Sequence, residues 1–219
     1  MTSSDRRPYV SPVRARQAQQ TRQRVARAAA ALFVGHGYAA TSMAEVAREA
    51  EVSAQTVYNL FGSKPRLLKG AYDIVLVGDD EPVPLAERPE VRALYAGTDP
   101  AEFLRDYAGL GRTVLERVGP LLLQITAGAA TGEPDLIGIK QTTDGERLTG
   151  TGMVARRLAE LEALSPALSV RGARDRIWTL NSVEVWHLLT GTLAWSGTEY
   201  EQWIGEAMGA AVLARVDGA

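Results

Sequence analysis

The stretch Met43 to Gly62 constrains this chain more than any other, because it spells two short helices with almost nothing between them. Ser42-Met43-Ala44-Glu45 is a capping box, in which the serine hydroxyl accepts from the Glu45 N–H while the glutamate reaches back. Ser53 is placed to cap a second helix running to about Phe61. Helices that cross over a tight turn need a small residue at the crossing, and Ala47 supplies it. Val46, Val52, Val57 and Leu60 fill the angle between them. Ala54, Gln55, Thr56 and Asn59 remain for the open side of the second helix. They are small or polar, as suits base edges and phosphates when a helix enters a major groove about 12 Å wide.

The flanking segments are helical too. Thr21 to His36 carries Val25, Ala28, Ala29, Leu32 and Phe33 on one stripe, with Gly35 and Gly37 at its end. Ser63 heads a helix from Lys64 to about Val77, with Leu67, Leu68, Ala71 and Val75 inward. Pro65 is tolerated in its first turn, where backbone N–H groups lack an intrahelical partner. Residues 1–20 hold Arg6, Arg7, Arg14 and Arg16 among prolines and polar residues, and read as a flexible basic arm that turns helical near its end. That arm either follows DNA or is a tail without a role.

Acids and prolines between Gly78 and Pro84 mark a boundary. The expected domains are therefore the arm, a helix-turn-helix domain over 21–77 that includes the start of a linking helix, and a helical regulatory domain over 85–219. In the last, Asp99-Pro100-Ala101-Glu102 starts a helix bearing Phe103, Leu104, Tyr107, Leu110, Val114 and Leu115. Leu121 to Ala130 predicts a buried helix, and Gly132 to Leu164 a helix interrupted by glycines. Val170 to Trp195 predicts a long helix, and Thr198-Glu199-Tyr200-Glu201 starts a last one to about Arg215. No alternating pattern of strand length and no repeat is visible, so the expected fold class is all-α.

Composition narrows the function. The chain has 219 residues, 46% hydrophobic and 23% charged, enough to bury a core. Its net charge of −2 hides an asymmetry. Met1 to Tyr72 holds nine Arg and two Lys against one Asp and three Glu, a balance of +7. The remainder, with 13 basic and 22 acidic residues, stands at −9, so only the front suits a polyanion. The absence of cysteine excludes disulfides and thiolate metal sites. His36 and His187 belong to no metal-spaced cluster, and no serine sits in a nucleophile elbow. Gly150-Thr151-Gly152-Met153-Val154-Ala155 fits a dinucleotide fingerprint, but the polar run Thr142 to Arg147 before it is no strand. Neither enzyme, cofactor nor metal is expected. No long apolar run or secretory signal is present, which points to a soluble, cytoplasmic protein without a membrane partner.

The residues Leu32-Phe33, Gly37-Tyr38, Thr41-Ser42, Val46-Ala47, Val52-Ser53, Thr56-Val57-Tyr58, Phe61, Ser63-Lys64 and Leu67 resemble the TetR family of transcriptional regulators. The resemblance covers Thr21 through Leu68. It implies DNA contacts from Thr41 and Ser42, from Ser53, Gln55, Thr56, Tyr58 and Asn59 on the recognition helix, and from Lys64 on phosphate. The chain departs from the family pattern at three places. Glu51 stands where glycine is usual, Leu60 where a polar aromatic or histidine is common, and Pro65 where an acid is usual.

The family's second domain binds a small molecule and pairs with its twin. Here Ile177 to Leu193 is apolar on more than one face, and the last helix carries Gly205 and Gly209. A helix apolar all round must be covered on several sides. A two-fold dimer through Trp178, Val185, Trp186, Leu189, Leu193, Gly205 and Gly209 follows as the expectation. Phe103, Tyr107, Leu110, Gln124, Trp178, Asn181 and His187 are the candidates for lining an effector pocket, each with plain packing as the alternative. The function expected is a homodimeric repressor released from a palindromic double-stranded operator by an unknown small molecule. The alternative is a constitutive DNA-binding regulator without a ligand.

Overall fold

Six serines and one aspartate cap the N-termini of seven helices, each accepting from the backbone N–H three residues on. Such caps contribute about 1 kcal/mol each, and they fix where the chain turns into helix. The computed structural model describes residues 12–78 and 83–214. The chain divides into two compact units, Met1–Asp80 and Glu81–Ala219.

The first unit holds α1 (Pro12–Ala40), α2 (Met43–Glu49), α3 (Ala54–Phe61) and α4 (Lys64–Val77), with α1 packed along α4. Its core takes Val25, Ala29 and Phe33 from α1, Met43, Val46 and Ala47 from α2, Val57 and Phe61 from α3, and Leu67, Leu68 and Ala71 from α4. The helical run of α1 breaks at Gly37 (φ 81°, ψ 166°), a backbone conformation that costs glycine nothing. Gly70 serves close approach instead: a Cβ there would lie 2.7 Å from the Phe61 ring. Helix α1 starts at Pro12, so the helical end expected of the arm takes in residues 12–20 and joins the helix expected from Thr21. Proline suits a first helical turn, and the Gln, Ala and Arg residues that follow are good helix formers. Arg14 and Arg16 are thus exposed on α1, while Arg6 and Arg7 lie outside the described residues.

The turn between α2 and α3 places Glu51 at φ 52°, with its N–H on the Arg48 carbonyl and that of Val52 on the Ala47 carbonyl. A left-handed conformation costs a side-chain-bearing residue roughly 1–2 kcal/mol, and the extra unfolded freedom of glycine offsets part of that. Glu51→Gly is therefore expected to stabilise the first unit by about 1 kcal/mol, read as a higher urea midpoint at unchanged slope. A lowered midpoint would contradict this account of the turn.

The second unit runs through a 3₁₀ turn (Leu85–Glu87), α5 (Pro89–Ala96), α6 (Pro100–Ala130), α7 (Pro134–Glu160), α8 (Val170–Leu180), α9 (Val183–His187), a π turn (Leu188–Thr192) and α10 (Gly197–Val212). Helix α6 packs on α10 and α7, and α8 on α7 and α10. The fold is all-α. No strand occurs among the described residues, only an isolated antiparallel bridge between Leu164 and Leu213.

Several boundaries differ from expectation for identifiable reasons. Helix α6 continues through Pro120 instead of restarting, because Leu115, Val118, Leu121 and Ile125 are all buried along it. That burial outweighs the loss of about 3 kcal/mol that proline brings to a helix interior. Helix α7 likewise runs unbroken through Gly138, Gly145, Gly150 and Gly152, which puts the fingerprint-like Gly150 to Ala155 inside a helix. The long helix expected from Val170 to Trp195 breaks at Asn181-Ser182, where Ser182 caps α9. The last helix opens two residues earlier than expected, on a capping box of Ser196 and Glu199.

Candidate functional site

Helix α3 is short and two-faced. Val57 and Phe61 are buried and Leu60 is half-buried, which turns the opposite side outward. Ser53, Gln55, Tyr58 and Asn59 are exposed there, and Thr56 is half-buried. Tyr58 is 49% exposed, so its ring is no core element and its hydroxyl is available. Gln55 Nε2 donates to Asn59 Oδ1 at 2.8 Å, one helical turn on. This pairing leaves the Gln55 carbonyl oxygen and the Asn59 amide hydrogens facing out, an acceptor beside a donor. Adenine presents the complementary pair in the major groove. Ser53 and Thr56 are more engaged: the Ser53 hydroxyl caps α3 through the Thr56 N–H at 3.0 Å and pairs with Thr56 Oγ1 at 2.8 Å.

Two further positions adjoin this surface and one does not. Ser42 is exposed at the start of α2. Lys64 donates from Nζ to the Ala39 carbonyl at 3.3 Å and stands 4.3 Å above the Tyr38 ring, so the charge of α4 is held at the corner where α1 hands over to α2. Thr41 is corrected: it is 1% exposed, and its hydroxyl donates to the carbonyls of Gly37 (2.9 Å) and Leu32 (3.2 Å). Its side chain locks the corner rather than meeting DNA. Arg22 and Arg66, which look like ordinary helix-surface cations in the sequence, flank the end of α3.

In the second unit, the candidates scatter. Phe103 is buried in the core against the Tyr95 ring, with centroids 5.4 Å apart. Leu110 and Gln124 are half-buried, and His187 is exposed, which removes it from any interior pocket. Tyr107 and Asn181 do come together. Asn181 Nδ2 donates to the Tyr107 hydroxyl, and the hydroxyl of Tyr200, in the first turn of α10, donates to Asn181 Oδ1, both at 3.4 Å. Burial pushes both phenols above their ordinary range, so they stay protonated. Arg147 closes the group: Nη1 donates to the carbonyls of Trp178 (3.0 Å) and Asn181 (2.8 Å), and the guanidinium lies 4.2 Å over the Trp178 ring. The indole N–H groups of Trp178 and Trp186 are buried without a hydrogen-bond partner among the described residues. Such groups cost free energy unless something accepts from them.

Several residues expected at a pairing face are engaged within the chain itself. Gly205 is buried against α6 of its own subunit, where a Cβ would meet Arg105 and Ala108, so it serves internal packing. Val185, Trp186 and Leu189 pack partly on the subunit's own core, and Trp178 lies under Arg147. Gly209 is half-buried. Left open are Leu193 (60% exposed), Leu188 (57%) and Trp203 (38%), the last stacked edge-to-face with Trp195. Among the described residues no helix is long and apolar enough to cross a membrane, and no cluster of His, Asp and Glu could hold a metal ion.

Residues 26–71 match the family model of bacterial regulatory proteins of the tetR family. No curated protein matches the chain in sequence. Solved structures share its fold along most of its length. A Rhodococcus sp. protein assigned to the TetR family is 15% identical, with a TM-score of 0.69 over 88% of this chain and 98% of that one. A Saccharomonospora viridis protein in complex with choline is 20% identical (TM-score 0.67; 90% and 99%). A TetR transcriptional regulator from Chloroflexus aurantiacus is 19% identical (TM-score 0.61; 91% and 100%). At these identities the likeness is one of fold. Residues 26–71 are thus similar to the tetR-family model of bacterial regulatory proteins, and the solved structures show the same all-helical fold around that stretch.

Proposed function

We propose that two copies of this chain bind a palindromic operator as a repressor and that a small molecule releases them. In this reading the domain over 21–77 holds DNA and the domain over 85–219 pairs the subunits and senses the ligand. The observation that carries it is the outward face of α3, where Gln55, Tyr58 and Asn59 stand exposed on a helix anchored by buried Val57 and Phe61. The front of the chain, at +7, supplies the charge a polyanion requires. Ser42 and Lys64 would hold phosphates beside the groove that α3 enters.

One recognition helix covers too little surface for a specific site, which favours pairing. The exposed Leu188, Leu193 and Trp203 give a second copy an apolar face to cover. The ligand's place would be around Tyr107 and Asn181, where Trp178 adds a buried indole N–H that favours a ligand with an acceptor; Phe103, Leu110 and Gln124 lie on the same helix as Tyr107, with Gln124 farthest from it. The complex of the Saccharomonospora viridis relative with choline supports a small-molecule effector. Ligand would favour a spacing of the two heads that no longer fits successive grooves.

Selecting genomic fragments with the full-length protein tests the reading. The expected product is an enriched inverted repeat with half-sites about one helical turn apart or more, bound by a species that sediments as a multiple of the monomer. Fragments enriched without internal symmetry, on a monomer, would overturn the dimeric part of it.

A further inference from the structure

Where α3 ends, the surface is concave and lined by Arg22, Tyr58, Asn59, Phe61, Gly62 and Arg66. Two guanidinium groups reach it from different helices. Arg22 comes from α1; its Nη1 donates to the Leu60 carbonyl at 3.1 Å, and the group stands 4.6 Å above the Phe61 ring. Arg66 comes from α4 and folds back over Gly62, with Nη1 3.6 Å and Cδ 3.9 Å from where a Cβ on that glycine would sit. Arg66 is exposed, and its side chain makes no hydrogen bond or ion pair among the described residues. Beside it stands the half-exposed Tyr58.

We infer that Arg66 and Tyr58 together hold one DNA phosphate at the C-terminal end of the recognition helix, with Arg22 as the positioning residue that fixes Leu60 and Phe61 beneath them. A guanidinium presents a fork of donors that matches two phosphate oxygens, and a phenol adds a third donor from the side. Leu60, half-buried and apolar, offers no contact at the neighbouring position. Gly62 has no side chain to hold Arg66 or an approaching sugar–phosphate strand away from the helix end. The inference rests on the DNA-binding reading above and adds a sequence-independent backbone contact to it.

The test uses the full chain and two probes, a short duplex carrying the most enriched genomic fragment and one of scrambled sequence. Binding is followed by fluorescence anisotropy between about 50 and 200 mM salt, for the native protein and the Arg66→Gln and Arg66→Lys variants. Arg66→Gln is expected to reduce the slope of log K against log [salt] by about 0.9 per bound subunit, and to weaken both duplexes by the same factor. Arg66→Lys should recover most of the slope. A slope unchanged by Arg66→Gln overturns the inference, and so does a loss confined to the enriched duplex, since that marks a base contact. Failure of the native protein itself to bind either duplex would instead overturn the DNA-binding reading.

Discussion

Phe61→Ala is expected to cost the DNA-binding unit about 3–5 kcal/mol and to remove DNA binding with it. Phe61 is 6% exposed at the last turn of α3, seated against the bare backbone of Gly70 with the Arg22 guanidinium over its ring. Its truncation leaves a cavity that α4 cannot fill, because the helix at Gly70 has no side chain to offer. It also frees Arg22 from the stack that aims it at the Leu60 carbonyl. A unit of some 80 residues has a total stability of only about 4–12 kcal/mol, so the loss consumes much of it. Thermal unfolding followed by circular dichroism should show an early transition belonging to the first unit. The second unit keeps a core of its own, built on α6, α7, α8 and α10, and should melt near its native temperature. A variant that binds DNA at native strength and melts in one transition would contradict this account of how α3 is held.

If the proposed pairing holds, Leu193→Asp is expected to turn the dimer into a monomer at micromolar concentration and to weaken DNA binding by about 10²–10⁴-fold. Leu193 follows the π turn and is 60% exposed, with Leu188 at its other end 57% exposed. Across a two-fold axis each substitution appears twice, so two carboxylates would enter one apolar contact, where unpaired charge is costly. The loss of affinity is larger than any contact at Leu193, because the second head then binds from solution rather than from the same complex. Sedimentation velocity and anisotropy on the same preparation separate the two effects. A Leu193→Asp protein that remains dimeric would move the pairing face elsewhere on the second unit.

The helix-turn-helix was legible because its determinants are local. Caps at Ser42, Ser53 and Ser63, the small Ala47 and the apolar Val46, Val57 and Phe61 lie within twenty-odd residues of one another and act on their own turns. Even the awkward backbone at Glu51 followed from its place in the turn. Thr41 was carried over as a DNA contact from the family resemblance, whereas the break at Gly37 folds the corner over its hydroxyl and buries it. The second unit was harder for a physical reason. Proline and glycine signal helix breaks, yet Pro120 and the glycines of α7 sit where long-range burial outweighs local preference. At Asn181 the local signal is slight, an asparagine followed by the capping Ser182, and it does not by itself decide a break. The break comes from hydrogen bonds to Tyr107 and Tyr200, 74 and 19 residues away. Gly205 illustrates the same limit, since a glycine that admits a neighbouring helix looks alike whether that helix belongs to the same subunit or to another.

The central claim is that the outward face of α3 reads base sequence. Repeating the genomic selection with Gln55→Ala and with Asn59→Ala, each against the native protein, tests it most directly. The account predicts that each variant still binds DNA but loses preference at one or two positions in each half-site, at a cost of about 1–3 kcal/mol per contact. Identical preferences in all three selections, or preferences that change only when residues outside α3 are replaced, would contradict it.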